Sequence, residues 1–89
     1  MLLSVVVPAY NESEGIELFH NKHLLPALNK LDVSYEVIYV NDGSRDDTLS
    51  KLSKLAKSKS VKVMNLSRNF GKELATTAGI FQATGDAVI

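Results

Sequence analysis

The sequence contains no cysteine and no tryptophan, and its ten basic residues balance ten acidic ones. The lack of cysteine excludes a disulfide framework, a thiol nucleophile and a thiolate metal site. The balanced charge gives no support for a general nucleic-acid-binding surface, so we expect no nucleic acid partner. Any contact with phosphate must therefore be local.

Long hydrophobic runs are also missing. The first apolar run, residues 1–7, has no basic leader and stops at Pro8, which predicts a strand rather than a signal peptide. No run is long enough to span a bilayer. With 89 residues, of which 45% are hydrophobic and 22% charged, the chain has the composition of one small globular domain.

Three common glycine motifs are absent. No Gly-x-Gly-x-x-Gly follows the first predicted strand, which disfavours a dinucleotide-binding Rossmann domain. The Walker-type Gly-x-x-x-x-Gly-Lys and the Gly-x-Ser-x-Gly hydrolase motif are missing as well. A nucleotide site in this chain must therefore use other residues.

The sequence does contain a repeated alternation of strand and helix patterns. The predicted strands are residues 2–7, 35–40, 61–66 and 86–89. Between them, leucines and alanines recur at helical spacing. The order β-α-β-α-β-α-β predicts an α/β fold, Rossmann-like and three-layered (α/β/α), with a mostly parallel sheet.

Single residues indicate where these elements end or pack. Pro8 has no amide hydrogen for a sheet and is predicted to end the first strand. Pro26 predicts a kink or a fresh helix start near Leu25. Gly79 allows a helix to pack closely on the sheet, and Gly85 is a candidate helix stop.

A polar elbow follows each of the first three predicted strands. We call residues 9–14 the first elbow, residues 41–44 the second elbow and residues 67–72 the third elbow. In a parallel sheet the three elbows lie along one edge, where open α/β folds bind ligands. Their candidate polar residues are Tyr10, Asn11, Glu12, Asp42, Gly43, Ser44, Arg68, Asn69 and Lys72.

These elbows have both a functional and a structural explanation. A carboxylate there can accept hydrogen bonds from a ribose or a base, while Arg68 and Lys72 can pair with phosphate oxygens. Each elbow alone also fits ordinary turn and capping chemistry, with Asp46 and Asp47 as acids at a helix start. Their joint placement at three strand ends favours a nucleotide pocket.

Two further patterns have structural explanations. Asn11 or Ser13 is a candidate cap for the first helix. His20 and His23 are three residues apart but have no further metal ligands in the pattern. We therefore expect both histidines at the surface.

Three motifs resemble the family 2 glycosyltransferases of the GT-A fold, in order and in spacing. They are Ser-Val-Val-Val-Pro-Ala-Tyr-Asn-Glu (residues 4–12), Val-Asn-Asp-Gly-Ser-Arg-Asp-Asp-Thr (residues 40–48) and Leu-Ser-Arg-Asn-Phe-Gly-Lys (residues 66–72). The third is similar to the branch that contains dolichol-phosphate mannose synthases and undecaprenyl-phosphate glycosyltransferases. The resemblance covers essentially the whole chain and is specific for the family rather than for the sugar.

The resemblance implies that residues 1–89 are the N-terminal nucleotide-sugar-binding part of a glycosyltransferase domain, ending before the Asp-x-Asp motif. It assigns the nucleotide-diphosphosugar to Pro8, Ala9, Tyr10, Glu12, Asp42, Gly43, Ser44, Arg68 and Lys72. Mg²⁺ or Mn²⁺ would have its ligands beyond Ile89, so no catalytic or metal residue is expected within the chain. We therefore expect the chain to be inactive by itself.

For the whole enzyme, the resemblance implies sugar transfer from a UDP- or GDP-sugar to a polyprenyl phosphate, dolichyl or undecaprenyl. It implies a cytoplasmic location, at the cytoplasmic membrane face. Two alternatives stay open: a polysaccharide or glycan acceptor within the same family, and a non-catalytic nucleotide-binding module. An exposed sheet edge beside the first and fourth strands would favour self-association.

Overall fold

The computed structural model describes all residues from Met1 to Ile89 and contains one four-stranded parallel sheet. Its strands are β1 (Leu2–Ala9), β2 (Ser34–Asn41), β3 (Val61–Asn65) and β4 (Ala87–Val88). Their spatial order is β3-β2-β1-β4, so β3 and β4 are the edges. The predicted α/β fold with a parallel sheet is confirmed.

The connections between the strands are helical. They are α1 (Ile16–Leu18), a π-helical segment (Phe19–Leu24), α2 (Leu25–Asn29), α3 (Thr48–Leu55) and α4 (Lys72–Gln82). None of these helices combines the length and the apolar character that crossing a bilayer requires.

Two apolar clusters place these helices on opposite faces of the sheet. The larger cluster comprises Leu3, Val5, Ala9, Ile16, Leu28, Val37, Tyr39, Leu52 and Val61. The smaller cluster comprises Ile38, Val40 and Ala75. Because successive strand residues point to opposite faces, α1, α2 and α3 cover one face and α4 covers the other. The predicted three layers are therefore present.

The carboxyl ends of the three long strands are in register. Ala9 lies beside Asn41, and Asn41 lies beside Asn65. The amide of Asp42 then donates to the Ala9 carbonyl (2.9 Å), and the amide of Leu66 donates to the Asn41 carbonyl (3.0 Å). The three elbows consequently begin side by side, at the end of the sheet that the carboxyl ends of the strands form.

Pro8 does not end the first strand, contrary to our expectation, because β1 continues to Ala9. The Val6 amide donates to the Ile89 carbonyl (2.8 Å). The backbone N–H and C=O groups of the even-numbered residues of β1 therefore point toward β4. β4 pairs only with Leu3 and Ser4, so no strand lies beside Pro8 on that side. The missing amide hydrogen of Pro8 therefore costs no ladder hydrogen bond.

The helical stretch before β2 changes type just ahead of Pro26. The π-helical segment ends at Leu24, and α2 begins at Leu25 with Pro26 in its first turn. A helix segment therefore begins at Leu25, as predicted, but the helical backbone is not interrupted there, because Leu24 and Leu25 both have right-handed helical φ and ψ.

The expected surface position of His20 is wrong. Its side chain is buried, and Nδ1 lies 2.6 Å from the Tyr39 hydroxyl in the larger cluster. His20 follows the buried Ile16 by four residues, so both face the sheet. Burial lowers the pKa of His20. His23 is exposed, as expected.

Glu36 forms a buried polar network near the start of β2, at the end of the sheet opposite the three elbows. Its carboxylate accepts hydrogen bonds from the Ser4 hydroxyl, the Thr84 amide (2.7 Å) and the Lys62 ammonium (2.7 Å). Burial by itself would raise the pKa of Glu36, but these hydrogen bonds outweigh it and lower the pKa to about 2. The network joins β1, β2 and the edge strand β3 to the segment before β4.

Gly85 belongs to this network and is not a helix stop. α4 ends at Gln82, and the extended Ala83 follows it. The Gly85 amide donates to the Ser4 hydroxyl (2.9 Å), and a Cβ on Gly85 would lie 2.4 Å from that oxygen. Glycine is therefore required by close approach to β1 rather than by helix termination.

Replacing Gly79 by alanine should destabilise the fold, although alanine is the better helix former. An added Cβ would lie 2.4 Å from Val6 Cγ1 and 2.9 Å from Val40 Cγ2. We expect Gly79→Ala to lower the free energy of unfolding by about 1–3 kcal/mol, measured by urea denaturation. Gly15→Ala is the matched control, since nothing lies within 4 Å of its added Cβ. Equal effects of the two changes would contradict the predicted packing of α4.

The Glu36 network predicts acid sensitivity. The pKa of the Glu36 carboxyl is about 2 in the folded chain against a reference of 4.5. As the pH falls, this carboxyl is therefore protonated earlier in the unfolded chain than in the folded chain. The stabilisation is complete above about pH 5 and is lost as the pH falls toward 2. Glu36→Gln should flatten the fall of unfolding free energy over this range, measured by urea titrations at several pH values. Glu14→Gln, at an exposed position, should keep the wild-type dependence of unfolding free energy on pH. If Glu36→Gln shows that same dependence, the proposed role of the network is refuted.

Candidate functional site

An open cleft lies at the sheet edge where the three elbows meet. Its volume is about 530 Å³, within the range of small-molecule sites in proteins. It is lined by Pro8, Ala9, Tyr10, Glu12, Asp42, Asn69, Gly71 and Lys72. All three elbows contribute, so the cleft depends on how they are held together.

The Asp42 side chain joins the second elbow to the third. Its Oδ1 accepts a hydrogen bond from the Phe70 amide (2.8 Å), and its Oδ2 accepts one from the Gly71 amide (3.1 Å). The Asn69 side-chain nitrogen donates to the Asp42 carbonyl (3.1 Å) and to Oδ2 (3.3 Å). Asp42 is only 3% exposed, yet it borders the cleft.

Gly43 brings the same two elbows into backbone contact. Its φ of +68° lies in the left-handed region, which favours glycine. A Cβ on Gly43 would lie 2.3 Å from both the Arg68 carbonyl carbon and the Asn69 nitrogen. Only a residue without a side chain fits here. Gly43 therefore allows the second and third elbows to lie in direct contact next to the cleft.

The first elbow is tied to the second by an exchange of hydrogen bonds. The Asn11 amide donates to the Ser44 hydroxyl (3.0 Å), and Asn11 Oδ1 accepts from the Arg45 amide (2.8 Å). The Glu12 amide donates to the Thr48 hydroxyl (2.9 Å). These contacts fix the first elbow against the start of α3.

The predicted helix caps need correction. Neither Asn11 nor Ser13 caps α1, whose N-cap is Gly15 without a side-chain hydrogen bond. The Asn11 side chain instead accepts from the Arg45 amide, and the backbone amide of Ser13 donates to Asp46 (3.4 Å). At α3 the N-cap is Asp47, but Asp46 accepts the Thr48 amide (3.0 Å). Hydrogen bonds from Thr48 and Ser13 lower the pKa of Asp46.

The structure brings together six of the nine residues that the resemblance assigned to the nucleotide. Those lining the cleft are Pro8, Ala9, Tyr10, Glu12, Asp42 and Lys72. Gly43 and Ser44 lie behind it and hold the elbows in place. The guanidinium of Arg68 stacks over the Phe70 ring at 4.9 Å and does not line the cleft. The binding role of all nine stays a prediction.

Two cleft residues were not among those nine. Asn69 and Gly71 line the cleft from the third elbow. Asn69 was identified in the sequence only as one of the polar residues of that elbow. Gly71 has a φ of +97° and directly precedes α4. In the sequence, its position before a predicted helix and within the third motif were the available signals.

Charged and imidazole side chains do not converge into a metal site within these residues. No group of three or more His, Cys, Asp or Glu residues lies close enough to hold an ion. The carboxylates of Glu12 and Asp42 both border the cleft, but Asp42 is already hydrogen-bonded to the third elbow. The chain's own residues therefore do not fit a resident divalent cation.

Comparison with known proteins gives one family. The model of the family described as Glycosyl transferase family 2 matches residues 4–89. An uncharacterised glycosyltransferase of Synechocystis sp. is 50% identical over 88 residues, which is 98% of this chain and 27% of that protein. A prophage bactoprenol glucosyl transferase homolog of Escherichia coli K12 is 43% identical over 91 residues, covering 100% of this chain and 29% of that protein.

A solved structure agrees with these sequence relatives. The crystal structure of S. aureus TarS in complex with UDP has a TM-score of 0.75 and 32% identity, covering 100% of this chain and 27% of that one. The chain spans less than a third of the length of the proteins that it matches.

The contact between Gly43 and the third elbow predicts a local effect of Gly43→Ala. The added methyl group must push residues 68–69 away and take a left-handed backbone conformation, which costs about 1–2 kcal/mol by itself. We expect lower stability in urea and NMR amide shift changes concentrated in residues 67–72. Changes confined to residues 42–44 would contradict this coupling.

Proposed function

Because the chain belongs to glycosyl transferase family 2, we propose that it forms the nucleotide-binding part of an enzyme that transfers a sugar from a UDP- or GDP-sugar to a polyprenyl phosphate. The observation that carries the nucleotide-binding part of this proposal is the cleft built by three interlocked elbows at the carboxyl ends of the strands. Parallel α/β sheets bind ligands at this edge.

Four of the residues that line the cleft carry side chains that suit a nucleoside diphosphate. The Tyr10 ring is 42% exposed and offers an aromatic surface to the base. The Glu12 carboxylate can accept hydrogen bonds from ribose hydroxyls, and Asp42 can accept one from the base. The Lys72 ammonium supplies a positive charge for the diphosphate. The UDP complex of TarS supports this donor class.

The acceptor is proposed from the relatives rather than from the cleft. The E. coli relative is described as a bactoprenol glucosyl transferase homolog, and bactoprenol is a polyprenyl alcohol. Since a polyprenyl chain is held in a bilayer, we propose that the reaction takes place at a membrane surface, and the family resemblance implies the cytoplasmic face. Self-association through the outer side of β4 stays a prediction.

A divalent metal, Mg²⁺ or Mn²⁺, belongs to the proposal for the whole enzyme. When bound, such an ion offsets the diphosphate charge and stabilises the departing nucleotide. No group of three or more candidate ligands lies together in this chain, and we assign to its residues the binding and orientation of the nucleotide.

Removing the Lys72 charge should weaken nucleotide binding. We expect Lys72→Ala to raise the Kd of UDP about 2–10-fold at low salt, measured by calorimetric titration, because an exposed ion pair contributes modestly. Added salt should reduce the difference. Lys54→Ala is the control, since Lys54 is exposed on α3 away from the cleft. An equal effect of both variants would place the diphosphate elsewhere.

The activity itself needs a protein that carries this chain together with the remaining length of its family relatives. Incubated with UDP- or GDP-sugar, Mn²⁺ and polyprenyl phosphate, it should form a glycolipid detectable by mass spectrometry. A parallel incubation with soluble glycans tests the alternative acceptor class. Sugar transfer to glycans alone would replace the lipid acceptor, and nucleotide binding without any transfer would favour the non-catalytic module.

A further inference from the structure

The outer face of α4 carries apolar side chains where a surface helix normally carries polar ones. Leu74, Ile80 and Phe81 are 59%, 48% and 84% exposed. The opposite face of the helix, with Ala75 and Gly79, is buried on the sheet. The three exposed side chains present roughly 350 Å² of apolar surface, which is the size of the largest patch on a typical monomer. A patch of this size on one helix indicates a partner.

Thr77 extends this patch despite its hydroxyl group. It is exposed, and it follows Leu74 by three residues and precedes Phe81 by four, so it lies between them on the same face. Its hydroxyl donates to the Glu73 carbonyl of the preceding turn (2.9 Å). Because this hydrogen bond uses the hydroxyl, the methyl group is the part of the side chain left for contact with a partner. We call Leu74, Thr77, Ile80 and Phe81 the α4 patch.

The outer face of α3 shows the usual polar pattern instead. Its exposed positions include Ser50, Ser53 and Lys54, while Leu52 is buried. Such a face is solvated without a partner. The apolar outer face of α4 is therefore not a general feature of the helices that cover this sheet.

A second copy of α4 in antiparallel orientation matches the patch. When two such helices face each other near Thr77, Leu74 of one copy meets Phe81 of the other. The reverse contact forms at the same time, as in any interface with two-fold symmetry. The side chains of Thr77 and Ala78 at the centre are small, so the two helices can approach each other closely. The α4 patch is thus complementary to itself.

The charges on α4 favour the antiparallel arrangement over the parallel one. Glu73 lies in the first turn, next to the patch. In a parallel pair the two Glu73 carboxylates would lie at the same level, beside the like ends of two helix dipoles. In an antiparallel pair they lie about 12 Å apart along the axis, because each is four residues from Thr77. Helix ends of opposite sign then lie side by side.

We propose that α4 forms the interface of a weak homodimer, in which the α4 patches of two copies pair in antiparallel orientation. A lipid bilayer suits this face less well, because α4 has no basic residue in its last turn and carries Glu73 beside the patch. The two patches and their rims bury about 1,000 Å², near the lower limit for a specific interface, which corresponds to a Kd of about 10–500 μM. The dimer is independent of the proposed nucleotide binding, since Lys72 lines the cleft and not the patch.

Sedimentation equilibrium of the 89-residue chain up to about 1 mM tests the dimer, because this concentration exceeds the expected Kd. The average mass should rise from 9.7 kDa toward twice that value. Phe81→Gln should raise the dimer Kd at least about 10-fold, since a large aromatic side chain at the centre of an interface carries much of its binding energy. Leu74→Gln should raise it about 5-fold. Leu18→Gln is the matched control, because Leu18 is 57% exposed but lies on α1, across the sheet.

Disulfide cross-linking tests the orientation, and the absence of natural cysteine makes it specific. Leu74→Cys and Phe81→Cys variants are mixed and oxidised by air with a copper catalyst. We expect the mixture to give at least about 5-fold more cross-linked dimer than either variant alone. In the antiparallel pair two copies of one position lie about 10 Å apart along the axis, beyond the reach of a disulfide.

Each contrary outcome overturns the inference. A folded chain that stays monomeric up to about 1 mM has no such interface. A dimer whose Kd responds equally to Leu74→Gln and Leu18→Gln uses another surface. Cross-linking of each cysteine variant with itself, without links between the two variants, contradicts the antiparallel pair. Binding of a monomeric chain to phosphatidylglycerol vesicles, lost in Phe81→Gln, would assign the patch to a bilayer instead.

Discussion

The cleft depends on the hydrogen bonds that the Asp42 carboxylate accepts from the third elbow. Asp42 follows β2, whereas its donors precede α4, so this one side chain joins segments that are 28 or 29 residues apart in sequence. The close contact between Gly43 and the backbone of Arg68 reinforces the junction. Burying a carboxylate is costly unless its oxygens are hydrogen-bonded, and here three donors meet that requirement. The third elbow thereby gains a fixed shape without regular secondary structure.

A second carboxylate has a comparable role at the other end of the strands, opposite the elbows. Glu36 lies near the start of β2, and its donors come from β1, β3 and the segment before β4. The two acids thus hold the central part of the sheet at both ends. They differ in their surroundings: Glu36 has an ammonium partner and faces no cleft, while Asp42 has amide partners and borders the cleft. That difference is why, of these two acids, we propose a binding role only for Asp42.

The first elbow shows how exposed polar residues can serve structure and function together. The amides of Asn11 and Glu12 are used against Ser44 and Thr48, which fixes the backbone of this elbow. The side chains of Tyr10 and Glu12 remain at the cleft surface. A site built in this way loses little conformational entropy when a ligand binds, because its backbone is already ordered. The proposed nucleotide site is therefore largely formed in advance.

Several features were predictable from the sequence because they depend on local pattern. The apolar run before Pro8 and the β-rich run before Asp42 indicate buried parallel strands, and polar residues directly after each strand must then share one sheet edge. The α/β fold, the strand order along the chain and most of the cleft follow from these patterns. The family resemblance has the same origin, since its motifs are the elbows themselves.

Only the tertiary structure decided how individual side chains are used. Arg68 stacks on Phe70, and His20 is buried against Tyr39, because neighbours distant in sequence determine whether a side chain meets a cleft, a ring or the core. The same holds for Pro8, whose place inside β1 depends on how far β4 extends beside it. The hydrogen bonds from Phe70 and Gly71 to Asp42 became visible only once the second and third elbows were in contact, because hydrogen bonds between loops leave no periodic signal in a sequence.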